Sequence, residues 1–216
     1  DIIEGKGLGI VVLLYGLPGI GKTLTAETIA LTTGRPLLQV SVAEIGVDAR
    51  EAEQKLAEVF VDATRWGAVL LLDEAHVFVE ERIKGDLKQN AFVSVLLRCL
   101  EYYDGIIILT TNRVRSIDAA VQSRVQLATQ YHDLTPEQRL AIYKNRLKWI
   151  PDEEIADRET LWKALETSQL TKRGNKANGR QIRNIVNGAR ALAKSKKERL
   201  TVDHLVDVDE NNSNFT

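Results

Sequence analysis

One segment restricts the fold more than any other. A continuous apolar run, IVVLLY at residues 10–15, stops at a glycine, and Gly16-Leu17-Pro18-Gly19-Ile20-Gly21-Lys22-Thr23 follows before a helical pattern at 23–31 closed by Gly34. A short β-branched run of this kind reads as a buried strand. Strand, turn and helix in that order, with the spacing G-x-x-x-x-G-K-[ST], make a backbone cradle for phosphate. Glycines let the chain curl without Cβ clashes, so that successive amides converge. The helix behind adds its first amides and the positive end of its dipole. In such a cradle Lys22 neutralises β and γ phosphates and the Thr23 hydroxyl ligates Mg²⁺. The expected nucleotide contacts are Gly16, Pro18, Gly19, Ile20, Gly21, Lys22, Thr23 and Leu24, and the expected ligands are ATP/ADP and Mg²⁺.

The rest of the chain supplies the sheet that such a cradle needs. Further strand candidates lie at 36–40, 68–72, 106–109 and 125–128. Between them, 48–66 carries Leu56, Val59, Phe60 and Ala63 at helical spacing, and 86–102 puts Phe92, Val95, Leu96, Cys99 and Leu100 on one face. Strands alternating with helices predict a five-stranded parallel sheet covered on both faces, a three-layer α/β core. After residue 131 the texture changes. Thr135-Pro136-Glu137 opens a helix with proline early, where its missing N–H costs little, and periodic segments follow at 138–149, 157–166 and 180–194 without a strand signal. The expected division is an α/β nucleotide-binding core, 1–132, and a small all-α lid domain, 133–216, whose polar end, DVDENNSNFT, reads as frayed.

A second motif ends the third strand candidate. Val69-Leu70-Leu71-Leu72-Asp73-Glu74 is an apolar run closed by two carboxylates, and ligands of parallel α/β sheets bind at the carboxyl ends of strands. Asp73 is the expected Mg²⁺ partner, together with Thr23, and Glu74 the group that orients and deprotonates an attacking water. The tetrad Asp73-Glu74-Ala75-His76 shares its letters with a two-lobed class of helicases. Those need a second strand-rich lobe, and the helical last third of this chain speaks against it. His76 is read as a neighbour of the site.

With both motifs in place, the chain from about residue 10 to 206 resembles an AAA+ ATPase module, a P-loop NTPase with a helical lid. Within that family the pattern EYYDGIIILTTNRV looks most like a poorly characterised fungal branch. The resemblance implies ATP hydrolysis in a ring-forming, hexameric homo-oligomer coupled to remodelling of a protein or other macromolecule. Leu109-Thr110-Thr111-Asn112 resembles the sensor-1 element, with Asn112 directed at the γ-phosphate or the attacking water. Ile117-Asp118-x-Ala120-x-x-Ser123-Arg124 resembles the arginine-finger segment, so Arg124 would serve a neighbour's nucleotide in trans, with Arg113 and Arg115 as nearby competitors. Asn178-Gly179-Arg180 resembles sensor 2, so Arg180 would couple lid closure to the nucleotide. Threading members carry an aromatic in the pore loop, whereas Val42-Ala43-Glu44-Ile45-Gly46-Val47 has none. Ile2, Ile3, Ile142 and Tyr143 are candidates for the adenine.

Composition narrows the alternatives. The net charge is −1, which gives no bulk attraction to nucleic acid. A DNA-linked loader or initiator and an ATP-switched assembly module with little hydrolysis are the alternative functions, the first resting only on the basic stretch Lys194-Ser195-Lys196-Lys197, which reads more simply as a solvated helix end. No run is long and apolar enough to span a bilayer, and Asp1-Ile2-Ile3-Glu4 lacks a signal-peptide pattern. The single cysteine, Cys99, suits core packing and an intracellular, reducing setting. A sequence without methionine reads as a piece of a longer protein. Trp66, Trp149 and Trp162 are expected to pack within their domains, and His132 and His204 have no metal-ligand spacing.

Overall fold

The computed structural model describes residues 9–45, 49–82, 86–113, 117–172 and 174–213. The elements run β1 (Ile10–Gly16), α1 (Lys22–Thr33), β2 (Leu37–Ser41), α2 (Val42–Ile45), α3 (Ala49–Trp66), β3 (Val69–Asp73), α4 (His76–Val79), α5 (Leu87–Tyr102), β4 (Ile106–Thr111), α6 (Ala119–Gln122) and β5 (Leu127–Tyr131). Four helices follow: α7 (Pro136–Leu147), α8 (Arg158–Thr167), α9 (Gly179–Lys196) and α10 (Val202–Ser213). Contacts divide the chain into two compact units. The first holds the residues up to Leu17 together with Gly21–Tyr131, the second Pro18–Ile20 with the residues from His132 onward.

In the first unit five strands form one sheet in the order β2-β3-β4-β1-β5, every pair parallel. Strand side chains alternate between faces, and here both faces are covered. Val11, Leu13, Leu70, Leu72, Ile107 and Leu109 join the core that also contains Leu56, Phe60, Val93 and Leu96 of α3 and α5. Val12, Leu14, Val69, Leu71 and Ile108 meet Ala26 and Ala30 of α1 in the opposite core. Burial on both sides is why these strands read as unbroken apolar runs. The edge strand β5 differs: residues 127–130 are exposed, so no apolar run marks them, and the strand lies later than the expected 125–128. Val125 instead packs against the α3/α5 core, while the Val11 N–H donates to the Gln126 side-chain oxygen at 2.6 Å and the Gln126 N–H to the Val11 carbonyl at 3.0 Å.

The second unit has its own core. Along α9 the buried residues are Ile182, Ile185, Val186, Ala189 and Ala193, a single helical stripe. They pack with Tyr143 and Leu147 of α7, Leu161 and Leu165 of α8 and Leu205 of α10. Two capping boxes start helices. Thr135 and Gln138 exchange bonds at the head of α7, with Pro136 in the first turn, and Asn178 and Gln181 do so at the head of α9, both at 2.9 Å. The sequence differs from the structure at two places here. The polar stretch from residue 207 is helical as far as Ser213, because Val202, Leu205, Val206 and Val208 hold α10 on the core. A Cβ on Gly188 would sit 3.0 Å from Val208, so glycine permits that close approach. The unit also contains one isolated parallel bridge, Ile155 to Leu200.

Candidate functional site

The carboxyl ends of β1, β3 and β4 gather the chemistry. Gly16 ends β1 at φ +134°, opposite Tyr131 of β5, and a Cβ there would lie 2.2 Å from the Tyr131 carbonyl oxygen. Only glycine fits that corner. Gly19 and Gly21 are also left-handed, at φ +74° and +103°, and space around Gly21 is open. Immediately after it α1 begins without a side-chain cap, leaving its first amides to whatever the loop holds. Lys22 is buried, and its ammonium donates to the carbonyls of Gly16 at 2.9 Å and Leu17 at 2.6 Å. Leu24, on the first turn of α1, is exposed.

The strand register brings the acidic pair to the same edge. Leu72 of β3 lies beside Leu109 of β4, so the next residues, Asp73 and Thr110, meet at the strand ends. The Asp73 Oδ2 atom lies 3.4 Å from both Thr23 Oγ1 and Gln39 Nε2. Its Oδ1 accepts from the Thr110 hydroxyl and, at 3.2 Å, from the Glu74 N–H. Glu74 itself sits at φ +58°, a left-handed conformation that costs a residue with a Cβ about 1–2 kcal/mol. The same N–H also donates to Thr110 Oγ1 at 3.1 Å, and this bond and that of the Ala75 N–H to the Thr110 carbonyl at 2.8 Å hold the turn. The Glu74 carboxylate is exposed at the surface of this edge.

A hydroxyl and a carboxylate side by side are hard oxygen donors of the kind Mg²⁺ takes, in small number and with room for water. Thr23 and Asp73 therefore fit the ion. The left-handed glycines, the uncapped head of α1 and the Lys22 ammonium fit the phosphates beside it. Among the described residues no cluster of three or more His, Cys, Asp or Glu side chains could hold a different metal.

The remaining expected residues lie as follows. Asn112 is exposed just beyond β4, in a turn closed by buried Thr111, whose hydroxyl accepts from the Arg113 N–H at 3.1 Å and donates to its carbonyl at 3.0 Å. Arg124 is half-buried beyond α6 and donates to the Ala120 carbonyl at 3.1 Å. Its segment is anchored by Asp118, the buried cap of α6. Asp118 accepts from Arg82 Nε at 2.8 Å and the Ala120 N–H at 2.9 Å, while its own N–H donates to the Val79 carbonyl. Burial alone would raise the Asp118 carboxyl, but the bonds from Arg82 and Ala120 outweigh it and hold it below the usual aspartate range. Arg113 is exposed, 3.9 Å from Glu80. Arg180 is exposed on the first turn of α9, as is Arg183 one turn on. Arg115, Ile2 and Ile3 lie outside the described residues, as do residues 46 and 47 of the pore-loop segment, which otherwise forms α2.

Several assignments change. Tyr143 is completely buried in the α7/α9 core, which removes it as an adenine contact; burial, with the nearby Asp209 charge, pushes its phenol far above the usual range. Trp66 and Trp149 are 55% and 82% exposed and do not pack as expected, whereas Trp162 packs against the helical core beneath the Lys144 ammonium, 5.7 Å from its ring. Cys99 packs against the sheet core, and burial raises its thiol. His204 bonds Thr201 and Glu198 at the head of α10. The role of Thr110 was missed: it stands in the quoted segment 109–112, but nothing in that segment marks its hydroxyl as the partner of Asp73.

Comparison with known proteins agrees with this geometry. The family model described as ATPase family associated with various cellular activities (AAA) matches residues 12–132, more than half of the chain. Among curated proteins, the bovine ATPase family AAA domain-containing protein 3 is 25% identical over 94% of this chain and 37% of its own length. The mouse nuclear valosin-containing protein-like is 35% identical over 53% of this chain and 15% of its own. The zebrafish outer mitochondrial transmembrane helix translocase is 28% identical over 84% of this chain and 50% of its own. The chain thus spans half or less of the length of these relatives.

Proposed function

This chain belongs to the AAA family of ATPases, and on that footing we propose that it binds Mg²⁺-ATP at the β1–α1 loop and hydrolyses it to ADP and phosphate. The observation that carries the reading is the meeting of Thr23 and Asp73, 3.4 Å apart, beside a loop of left-handed glycines and a buried Lys22. Lys22 would neutralise the terminal phosphates, and Gly16 to Leu24 would supply amides and contacts around them. Thr23 and Asp73 would hold Mg²⁺, whose chemistry is to draw charge from the β and γ phosphate oxygens. Glu74 would orient the attacking water and take its proton. Asn112 would steady the same water.

The finer reading is a ring. Family members commonly oligomerise, and Arg124 on its anchored segment is suited to serve the neighbouring protomer's nucleotide in a hexamer, with Arg180 of the lid domain, 133–216, reporting the nucleotide state to the core, 1–132. A relative named as a transmembrane helix translocase supports a macromolecular substrate that is remodelled. We further propose an intracellular address, where ATP is available, and, on the EYYDGIIILTTNRV pattern, a fungal source.

Glu74→Gln should retain Mg²⁺-ATP binding and lower turnover on the order of 10²-fold or more, while Lys22→Ala should abolish binding. Steady turnover in the first variant or unchanged affinity in the second overturns the assignment. Mixing Arg124→Ala with Glu74→Gln subunits should recover part of the activity, since some interfaces regain both groups. No recovery in mixed rings refutes the action in trans.

A further inference from the structure

We propose that Thr110 is a positioning residue for the acidic pair: its hydroxyl fixes the rotation of the Asp73 carboxylate, so that one oxygen faces Thr23, and holds the turn that presents Glu74. The proposal rests on the reading of Asp73 and Glu74 given above.

Three contacts converge on this one residue. The Thr110 hydroxyl donates to Asp73 Oδ1, it accepts the Glu74 N–H at 3.1 Å, and the Thr110 carbonyl accepts the Ala75 N–H at 2.8 Å. Each residue of the Asp73–Glu74–Ala75 turn is thus tied to the neighbouring strand. Thr110 is 1% exposed as a residue, so few waters reach it. Its donation occupies Oδ1 on the β4 side. Oδ2 is left as the oxygen toward Thr23 and Gln39, each at 3.4 Å. The two oxygens of a carboxylate are equivalent, so the tie does not choose between them; it fixes the rotation of the carboxylate plane about its last bond, with one oxygen on β4 and the other toward Thr23.

Glu74 needs the tie for a second reason. Its left-handed backbone persists only where the surroundings over-determine it. The Thr110 hydroxyl and Asp73 Oδ1, 3.2 Å from the same N–H, are the acceptors that do so. Because the hydroxyl joins both acids, its loss would disturb ion holding and water orientation together. Removing such an outer partner of a metal ligand typically costs 10–100-fold in metal affinity or activity.

Thr110→Val keeps the shape and removes the hydroxyl, and Thr110→Ser restores it. Binding of a fluorescent N-methylanthraniloyl ATP is titrated first in EDTA and then against Mg²⁺, with turnover and melting temperature measured on the same samples. The expected result for Val is unchanged affinity in EDTA, a Mg²⁺ half-saturation raised roughly 10-fold, and turnover lowered on the order of 10-fold at unchanged KM, with Ser close to the unaltered chain. Should Val not fold, Thr110→Ala is read in the same way. A Val or Ala variant matching the unaltered chain in Mg²⁺ dependence overturns the proposal. So does equal impairment of Ser, or affinity lost equally in EDTA, since either marks a purely structural role. If the unaltered chain binds no nucleotide and Lys22→Ala changes nothing, the nucleotide reading falls and the proposal with it; if only the Thr110 variants are silent, the proposal falls alone.

Discussion

Gly16→Ala tests whether the corner at the end of β1 is built as described. At φ +134° a side chain is strained wherever it finds room, at about 1–3 kcal/mol. Here there is no room: the new Cβ would stand 2.2 Å from the Tyr131 carbonyl oxygen and 3.1 Å from its carbon. That carbonyl is backbone in β5, paired in register with Gly16, and the ring of the same tyrosine is tied to Thr25 Oγ1 at 2.5 Å. It cannot swing aside as a flexible side chain would. Overpacking of this kind adds about 1–3 kcal/mol, while the stiffer unfolded chain returns about 0.4–1 kcal/mol. The net loss is then about 1–6 kcal/mol. Gly21→Ala is the matched control, because Gly21 is also left-handed, at +103°, but has nothing within 4 Å of the added atom. It carries the backbone cost alone, so the difference between the two variants isolates the clash. Urea unfolding followed by circular dichroism reads both, and with a slope of about 1–3 kcal/mol per molar the Gly16 midpoint should fall by about 0.3 M or more. A Gly16→Ala stability within about 0.5 kcal/mol of the unaltered chain, or a larger loss for Gly21→Ala, would refute the reasoning.

Four further outcomes follow from single contacts. Asp118→Asn keeps a good helix cap but loses the charge-assisted bond from half-exposed Arg82, at about 1–2 kcal/mol. Because the Asp118 carboxyl is held below its ordinary value, this stability is present above about pH 4 and is lost as pH falls through the folded pKa. The gap between variant and unaltered chain in urea midpoint should therefore close in acid, and a gap that widens there contradicts the sign. The Tyr143 hydroxyl is buried without a hydrogen-bond partner among the described residues, so Tyr143→Phe should leave melting unchanged or raise stability by about 1 kcal/mol, and a clear loss argues against it. Asn178→Ala removes the side-chain oxygen that accepts the Gln181 N–H, while the Asn178 N–H keeps its bond to Gln181 Oε1, and should cost about 1 kcal/mol in the same melts, with Asn178→Ser close to neutral. Glu74→Gly should relieve the left-handed turn, leaving stability unchanged or higher by up to about 1 kcal/mol while turnover disappears; a large destabilisation would mean the turn is not strained.

The sequence carried the parts of the fold that repeat over many residues or that tolerate few residue types. β1, β3 and β4 are legible because burial on both faces leaves them unbroken apolar runs, and α3 and α5 because a long helix shows its period. The four-residue helices α2, α4 and α6 are too short to show one. β5 escaped its true bounds because an exposed edge strand needs no apolar side chains. The helical end of α10 escaped because polar composition hides the few valines that hold it. At the site, the glycines, Lys22 and the two acids announce themselves by type and spacing. Thr110 could not, because its role depends on strand register: Asp73 and Thr110 are far apart in the chain and adjacent only because Leu72 pairs with Leu109.

Two left-handed corners at the same sheet edge are settled differently, and the difference separates scaffold from chemistry. At the end of β1 the chain must pass under Tyr131, no side chain is needed, and glycine removes the strain. At the end of β3 the same release is forgone, because a carboxylate has to stand there if a water is to be deprotonated. The strain of Glu74 is then offset by hydrogen bonds from outside its own strand, which in this chain come from β4. A turn held from a neighbouring strand moves with that strand. A shift of β4, including one of the Asn112 turn that continues it, is therefore expected to act on the orientation of Glu74 without touching it, and a double-mutant cycle reads that coupling.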